Sequence, residues 1–573
     1  MIINKLKNQK SKLKNRNWKI LLILCVAFVL RIWKLDAIPP HLTPDEAALG
    51  YNAYSILKTG RDEYGNFLPI IFKSFGDYKP GLYIYLVVPF VATFGLNEYA
   101  VRFPSALAGV AAVWFLQRIV FLLFTQKNHR SPITNHQSLA SISAALLAIN
   151  PWHIHFSRGA WEANVSLTLT LAGIYFFLKA RIRHKYLLLS IASFAATLLA
   201  YQGAKLSTVL AVITLIITFW EDGKRLLKNY TPFVVLSAAG GLIIISPIIF
   251  SLFQGKTGRL EVFSIFSYER PKEYLQVILD QGGERVGSIS YDLFHSEGVN
   301  FARGILGRWF NHFSGRFLFF EGDYQNPRHS IPNSGMFLLF DLVLVVAGFI
   351  ALIKHKNKFS QFVFIWLILA PLPSALSRDQ VQAVRSLNMV IPLVLILGFG
   401  VYSLRSMRSR FSPPAFLIGL AGLILVYLTN YIYFLDSYFV HLPIHNAKYW
   451  FYGYKQSVEK VDSVQANYKK IIFQQSYNQP YIYFLFYQKY DPAKYQTQAK
   501  LTESETGDVG LKERLDNVYF QNISWPYKSN EKEIMLVGDA VTIPEDLSQD
   551  YNLISEIRYP NTTETAFRIL EVK

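Results

Sequence analysis

Residues 18–35 read WKILLILCVAFVLRIWKL, and residues 39–53, just beyond them, read PPHLTPDEAALGYNA. The first run is apolar for long enough to cross most of a ~30 Å hydrocarbon core as a helix. The second sets Asp45 and Glu46 side by side at the start of an amphipathic stretch. A carboxylate there is free to titrate and to meet a ligand arriving from the bilayer. The rest of the chain reads as apparatus around that pair.

The chain of 573 residues is 51% hydrophobic and 17% charged, against roughly 25% charged in soluble domains. Its apolar residues gather in blocks of about 16–24, the length of a membrane-crossing helix. We read spans at 18–35, 101–124, 138–153, 163–180, 187–201, 205–220, 232–253, 335–353, 360–376, 385–404 and 415–435. The chain is therefore expected to be an α-helical polytopic membrane protein with about eleven spans. The lone Cys25 lies inside the first span, so no intramolecular disulfide can form. The basic start MIINKLKNQKSKLKNRNWK runs into that span without a small-residue cleavage site, which predicts an uncleaved anchor.

The net charge of +19 does not point to nucleic acid. Much of it sits in short loops between spans, where the positive-inside rule places Lys and Arg. That rule also decides the run GLYIYLVVPFVATFGL (81–96). If it does not cross, the basic N-terminus and the segments QKNHR, RIRHK, EDGKRLLK, KHKNK and RSMRSR all fall on the cytoplasmic side. The run would span only ~24 Å as a helix, and Pro89 is expected to interrupt it. It is read as a re-entrant or juxtamembrane segment. Large external segments follow at 36–100, 254–334 and 436–573. Residues 1–435 then form the membrane module of a plasma-membrane protein, with the N-terminus cytoplasmic. Residues 436–573 form a small external α/β domain, in which KKIIFQQS and EIMLVGDA read as buried strands.

Charged residues beside apolar helices are costly and mark candidate sites. Asp45 and Glu46 also suit a helix start, with Thr43 as cap and Pro44 in the first turn. Beyond them, GDYKPGLYIYL places Asp77, Tyr78 and Lys79 at the mouth of the re-entrant run, and VRFPSALAG opens the second span with Arg102. In NPWHIHFSRGAWEANV, Arg158 and Glu162 share a face if the stretch is one helix, as a local ion pair or with Glu162 facing the same external cavity. His153 and His155 read as interfacial. Lys205, Arg328, His329, Arg378 and Arg385 lie at external span ends, against the charge rule. Cations gathered there suit either a phosphate-bearing ligand or anionic headgroups.

The acidic pair beyond the first span, then DYKPGLY, then RFPSALAG, resembles the GT-C glycosyltransferases. The likeness is to the branch of protein O-mannosyltransferases and bacterial lipid A aminoarabinose transferases. It covers about residues 18–435, and FSRGAWEAN, NPRHSIP and PLPSALSRD…VRSLN look like bacterial members. The resemblance implies a GT-C-like bundle with external juxtamembrane helices. It implies transfer of a sugar, with inversion, from a polyprenyl-phosphate sugar donor at the outer face. The acceptor would be a protein, lipid or wall glycan, and membrane lipids the other partners. Asp45 would be the catalytic base and Glu46 its support, with Glu162 a further carboxylate. Lys79 and Arg102 would hold the donor phosphate, joined by Lys205, Arg328 and Arg385. The aminoarabinose branch carries Glu immediately before its Lys-Pro, where this chain has Tyr78; a divalent metal is left open. The residue chemistry agrees. A carboxylate is a weak base that suffices where the acceptor loses its proton late. Preplaced cations favour the phosphate charge that grows as the bond breaks. Two other readings use the same residues. One is a transporter of lipid-linked sugars, which would more often show two related halves. The other is an oligosaccharyltransferase or ligase moving a whole glycan.

Overall fold

The computed structural model describes residues 18–124, 136–255, 264–355, 357–406, 412–476, 479–502 and 510–573. The basic segment 126–130, Lys356 and residues 407–410 of RSMRSR lie outside them.

The first helix, α1, covers residues 18–32. Helix α2, Pro44–Thr59, starts where its sequence says it must. Thr43 caps it, Pro44 opens the first turn, and Thr43 and Glu46 close a reciprocal capping box. Gly60, with φ 69°, ends it in the left-handed conformation. A hairpin follows, β1 Ile71–Ser74 against β2 Asp77–Pro80. Then come α3 Leu82–Phe94, α4 Glu98–Phe124, α5 His136–Ile149, α6 Pro151–Arg158, α7 Glu162–Ala180, α8 Tyr186–Ala200, α9 Ala204–Thr218 and α10 Trp220–Phe253.

The external segment carries α11 Lys272–Gly282 and α12 Glu297–Asn311; α13 Asp341–Lys354, α14 Lys358–Leu369, α15 Val390–Ser406 and α16 Pro413–Asp436 complete the bundle. Among the described residues, six helices are long and apolar enough to cross a membrane, and α3, α5, α8 and α9 are shorter apolar helices. The chain is a multi-pass membrane protein. Its helices approach closely where glycines face each other. A Cβ on Gly348 of α13 would lie 1.9 Å from Ile396 O of α15, and one on Gly400 would lie 2.2 Å from Leu344 O.

Three local expectations are corrected. Pro89 does not interrupt α3, which runs through it; one missing N–H is tolerated in a helix whose Val87 and Val91 are buried against neighbours. The span expected at 138–153 ends at Ile149 because Asn150 caps a new helix, accepting from His153 N at 3.0 Å. His153 and His155 are buried rather than interfacial.

The C-terminal region is a six-stranded sheet, ordered β4-β5-β3-β6-β8-β7. Its strands are β3 Lys470–Gln474, β4 Arg514–Leu515, β5 Val518–Gln521, β6 Ile534–Asp539, β7 Tyr551–Arg558 and β8 Thr565–Val572. The pairs β3/β5 and β3/β6 are parallel. Helices α17 Tyr454–Val464 and α18 Tyr481–Tyr487 cover one face. That face does not stand apart from the bundle. Tyr454, Phe473, Tyr481 and Phe484 share one apolar core with Ala47, Tyr51, Tyr83 and Val101 of α2, α3 and α4. Polar ties fix the contact: Tyr483 Oη donates to Leu42 O at 3.0 Å, and Lys455 Nζ pairs with Glu98 at 2.8 Å.

Candidate active site

The first turn of α2 points its two carboxylates in different directions. Adjacent residues on a helix are rotated by about 100°. The Asp45 side chain is 63% exposed and pairs with Lys79 Nζ from β2. The Glu46 side chain is 6% exposed. Its Oε1 accepts from Arg102 Nε at 3.0 Å and Ala160 N at 2.8 Å. Its Oε2 accepts from Thr43 N at 3.0 Å and Arg102 Nη2 at 3.3 Å.

Arg102 is fully buried, and protein acceptors take every N–H it has. Nη1 donates to Leu35 O at 3.2 Å and Pro39 O at 2.8 Å, and Nη2 also donates to His41 O at 2.6 Å. With Nε and Nη2 on Glu46, the five donors of a guanidinium are accounted for. This corrects the expectation that Arg102 holds a donor phosphate. It ties the α1–α2 connection to α4 and carries Glu46.

Lys79 lies beside Asp45 and within electrostatic reach of Glu162 and Asp77. Burial pulls its ammonium down, but these carboxylates outweigh burial and hold it above the ordinary lysine value. Glu162 opens α7, and its Oε1 is buried without a hydrogen-bond partner. Asp77 accepts from Tyr78 N at 2.7 Å, and Gln202 donates to Tyr78 O. Lys205 lies within reach of Asp77. Asp45, Asp77, Lys79, Glu162 and Lys205 thus form one electrostatic group.

The remaining candidates have other partners. Arg158 and Glu162 do not share a helix face, because Gly159–Trp161 separate their helices. Arg158 donates to Leu30 O at 2.8 Å, Trp33 O at 2.6 Å and Ile38 O at 3.0 Å, and stacks on Phe439. Arg385 pairs with Asp379 at 3.0 Å, and Arg378 donates to Tyr268 Oη at 2.9 Å. Arg328 lies over the Phe451 ring, 5.4 Å from its centroid. Buried His329 contacts Asp323 at 3.1 Å, and burial pulls its imidazole below the ordinary histidine value.

Two residues that the sequence did not single out belong to this region. His41 Nδ1 lies 2.7 Å from Leu42 O, and its Nε2 accepts from Lys455 N at 3.0 Å, so the ring joins the α2 entry to the C-terminal region. Buried Glu63 is held by Asn52 Nδ2 at 3.0 Å, and desolvation raises it to about 8. Neither sits in a pattern that marks it; each acquires its setting from a distant part of the chain. Among the described residues no three His, Cys, Asp or Glu side chains converge as a metal would need, and no step below runs through one.

Residues 78–250 match the family model described as dolichyl-phosphate-mannose-protein mannosyltransferase. That segment holds Lys79, Arg102, Glu162 and Lys205 and begins after Asp45. The chain has the fold of the GT-C glycosyltransferases, similar to the branch of protein mannosyltransferases and aminoarabinose transferases. Among solved structures, it is similar to ArnT from Cupriavidus metallidurans in the apo state, with TM-score 0.50 and 14% identity over 96% of this chain and 98% of that one. The same protein bound to undecaprenyl phosphate gives 0.49 and 12% over the same shares. The archaeal oligosaccharyltransferase AglB from Archaeoglobus fulgidus, in complex with an inhibitory peptide and a dolichol-phosphate, gives 0.43 and 12% over 83% and 63%. No curated protein matches the chain.

Proposed function

We propose that the protein is an inverting glycosyltransferase that takes a sugar from a polyprenyl-phosphate donor at the outer membrane face. One observation carries this reading: the exposed Asp45 carboxylate lies against the Lys79 ammonium at the N-terminus of α2, on the edge of an apolar bundle. A base and a phosphate-binding cation are the two groups the reaction needs at one point. The acceptor hydroxyl attacks the anomeric carbon while the bond from that carbon to the phosphate oxygen breaks. The electron pair leaves with the polyprenyl phosphate, and the hydroxyl proton passes to Asp45.

The roles divide by burial. Lys79 receives the growing phosphate charge as the donor displaces it from Asp45. Lys205, Arg328 and Arg385 add positive potential around the site, while Arg102 and Glu46 position the α2 start. Glu162, with its unpartnered oxygen near Lys79, orients the acceptor. The family model that residues 78–250 match is described as a dolichyl-phosphate-mannose-protein mannosyltransferase, which supports a lipid phosphate as the donor's leaving group.

The test is single-turnover transfer by purified protein from a set of undecaprenyl-phosphate sugars, with mass spectrometry of outer-surface glycans from cells with and without the gene. A one-sugar mass difference supports the reading, and a whole-glycan difference points to the ligase alternative. Asp45→Asn is expected to lower the transfer rate by about 10²–10⁴-fold with donor still bound. A near-normal rate removes Asp45 from the mechanism.

A further inference from the structure

The turn between β1 and β2 is unusual in what it carries. Ser74, the last residue of β1, pairs with Asp77, the first of β2, leaving Phe75 and Gly76 as the loop. Both have positive φ, 55° and 89°. A two-residue loop of that kind favours Asn-Gly or Gly-Gly, and left-handed backbone costs a bulky residue roughly 1–2 kcal/mol. A phenylalanine in the first position is therefore a local liability offset by something its ring does.

The ring's surroundings show what that is. Phe75 is 2% exposed. Its centroid lies 6.1 Å from that of Tyr481, edge to face, at the start of α18 in the C-terminal domain. Its carbonyl accepts from Gly510 N at 2.7 Å, also in that domain. Lys79 Nζ sits 5.7 Å from the Phe75 centroid. Tyr481 is itself 1% exposed, and its ring stacks on Tyr495 at 6.4 Å. An aromatic face attracts an ammonium by about 0.5–2 kcal/mol.

We propose that the C-terminal domain is a working part of the site: Tyr481 and Gly510 grip Phe75, and Phe75 holds the Lys79 ammonium beside Asp45. Phe75 and Tyr481 are positioning residues. They touch neither donor nor acceptor and act through Lys79. The inference rests on the phosphate-binding role given to Lys79 above, but its test has an arm that does not.

The experiment uses full-length protein and the variants F75G, Y481L, Y481F, K79A and F75G/K79A. Glycine suits the backbone at position 75 better than phenylalanine does, so F75G removes the ring without straining the turn. Y481L keeps apolar bulk and removes the aromatic edge. Y481F removes the hydroxyl but keeps the aromatic edge, and serves as the conservative rescue. The first readout is acylation of Lys79 by a membrane-impermeant amine reagent, followed by peptide mass spectrometry. The second is affinity for undecaprenyl phosphate itself.

F75G and Y481L are expected to speed Lys79 acylation several-fold and to weaken undecaprenyl phosphate binding by about tenfold; Y481F should match wild type in both. F75G/K79A should bind no worse than K79A, because two residues acting through one contact are not additive. Unchanged acylation in F75G and Y481L overturns the clamp, and so does additive loss in the double variant. If wild type has no affinity for undecaprenyl phosphate, the donor reading falls while the acylation arm still decides the clamp. If F75G does not fold, Y481L against Y481F decides it.

Discussion

Glu46 and Arg102 form a two-point ion pair sealed from solvent, with Nε to Oε1 at 3.0 Å and Nη2 to Oε2 at 3.3 Å. The remaining carboxylate contacts and guanidinium donors end on backbone. Their neighbour Asp45, one residue before Glu46, is left at the surface with Lys79.

Breaking the sealed pair should unfold the site rather than slow its chemistry. Removing one partner of a buried pair leaves an uncompensated charge, at a cost of about 3–5 kcal/mol. Glu46→Gln and Arg102→Ala should therefore lower the melting temperature and the yield of monodisperse protein. Arg102→Lys should not rescue, since an ammonium cannot supply the same planar fork. Thermal unfolding of detergent-purified variants checks this. A normal melting temperature for Arg102→Ala would return the residue to the candidate phosphate ligands.

Lys79 predicts a pH effect with a definite sign. Asp45 and Glu162 raise its ammonium above the ordinary value against the pull of burial. Binding of a phosphate needs that ammonium charged, so affinity should hold through neutral pH and fall only on the alkaline side. Asp45→Asn removes one raising charge and leaves burial in place. The alkaline fall should then move to lower pH. Titrating undecaprenyl phosphate affinity in both proteins tests it; a fall at the same or a higher pH in Asp45→Asn contradicts the assignment.

His41 should make docking of the C-terminal domain sensitive to acid. Burial lowers its imidazole to about 4, with Glu98 raising it and Arg102 and Lys455 lowering it further. Nε2 must be unprotonated to accept from Lys455 N. The unfolded ring titrates near ~6.5. The folded state therefore keeps this stability above about pH 6.5 and loses it progressively down to about pH 4, to a limit of about 3 kcal/mol. Melting temperatures from pH 7 to pH 4.5 should fall less in His41→Gln than in wild type. Equal slopes would rule His41 out as the cause.

The proposed orientation follows from the loop charges and is open to labelling. In a Cys25→Ala background, single cysteines near Asn66, Gly322 and Asn530 should react with an impermeant maleimide in intact cells. One near His184 in the α7–α8 connection should stay protected until lysis. Reaction at His184 would mean that residues 81–96 cross the membrane, which would put Glu162 and Lys205 on the opposite side from Asp45 and Lys79 and break up the site.

The sequence by itself determined the membrane class, the helix start at Thr43–Pro44 and the placement of an acidic pair there. These follow from apolar block length and capping chemistry, which act over one or two helical turns. It also carried DYKPGLY and RFPSALAG, which apart from Asp77 fall within the residues that the family match covers. Tertiary structure alone decided which acid does what. Asp45 and Glu46 are chemically near-equal neighbours, and only the arrival of Arg102, 56 residues away, buries one and leaves the other to Lys79. The same holds for Arg158, whose apparent partner Glu162 is lost to a break at Gly159 that no i, i+4 spacing reveals. The docking of Tyr481 on Phe75 and of Tyr483 on Leu42 joins positions more than 400 residues apart. Local propensity carries no record of such contacts. They exist because the apolar faces of α2 and the C-terminal sheet are each unstable in water until they bury one another.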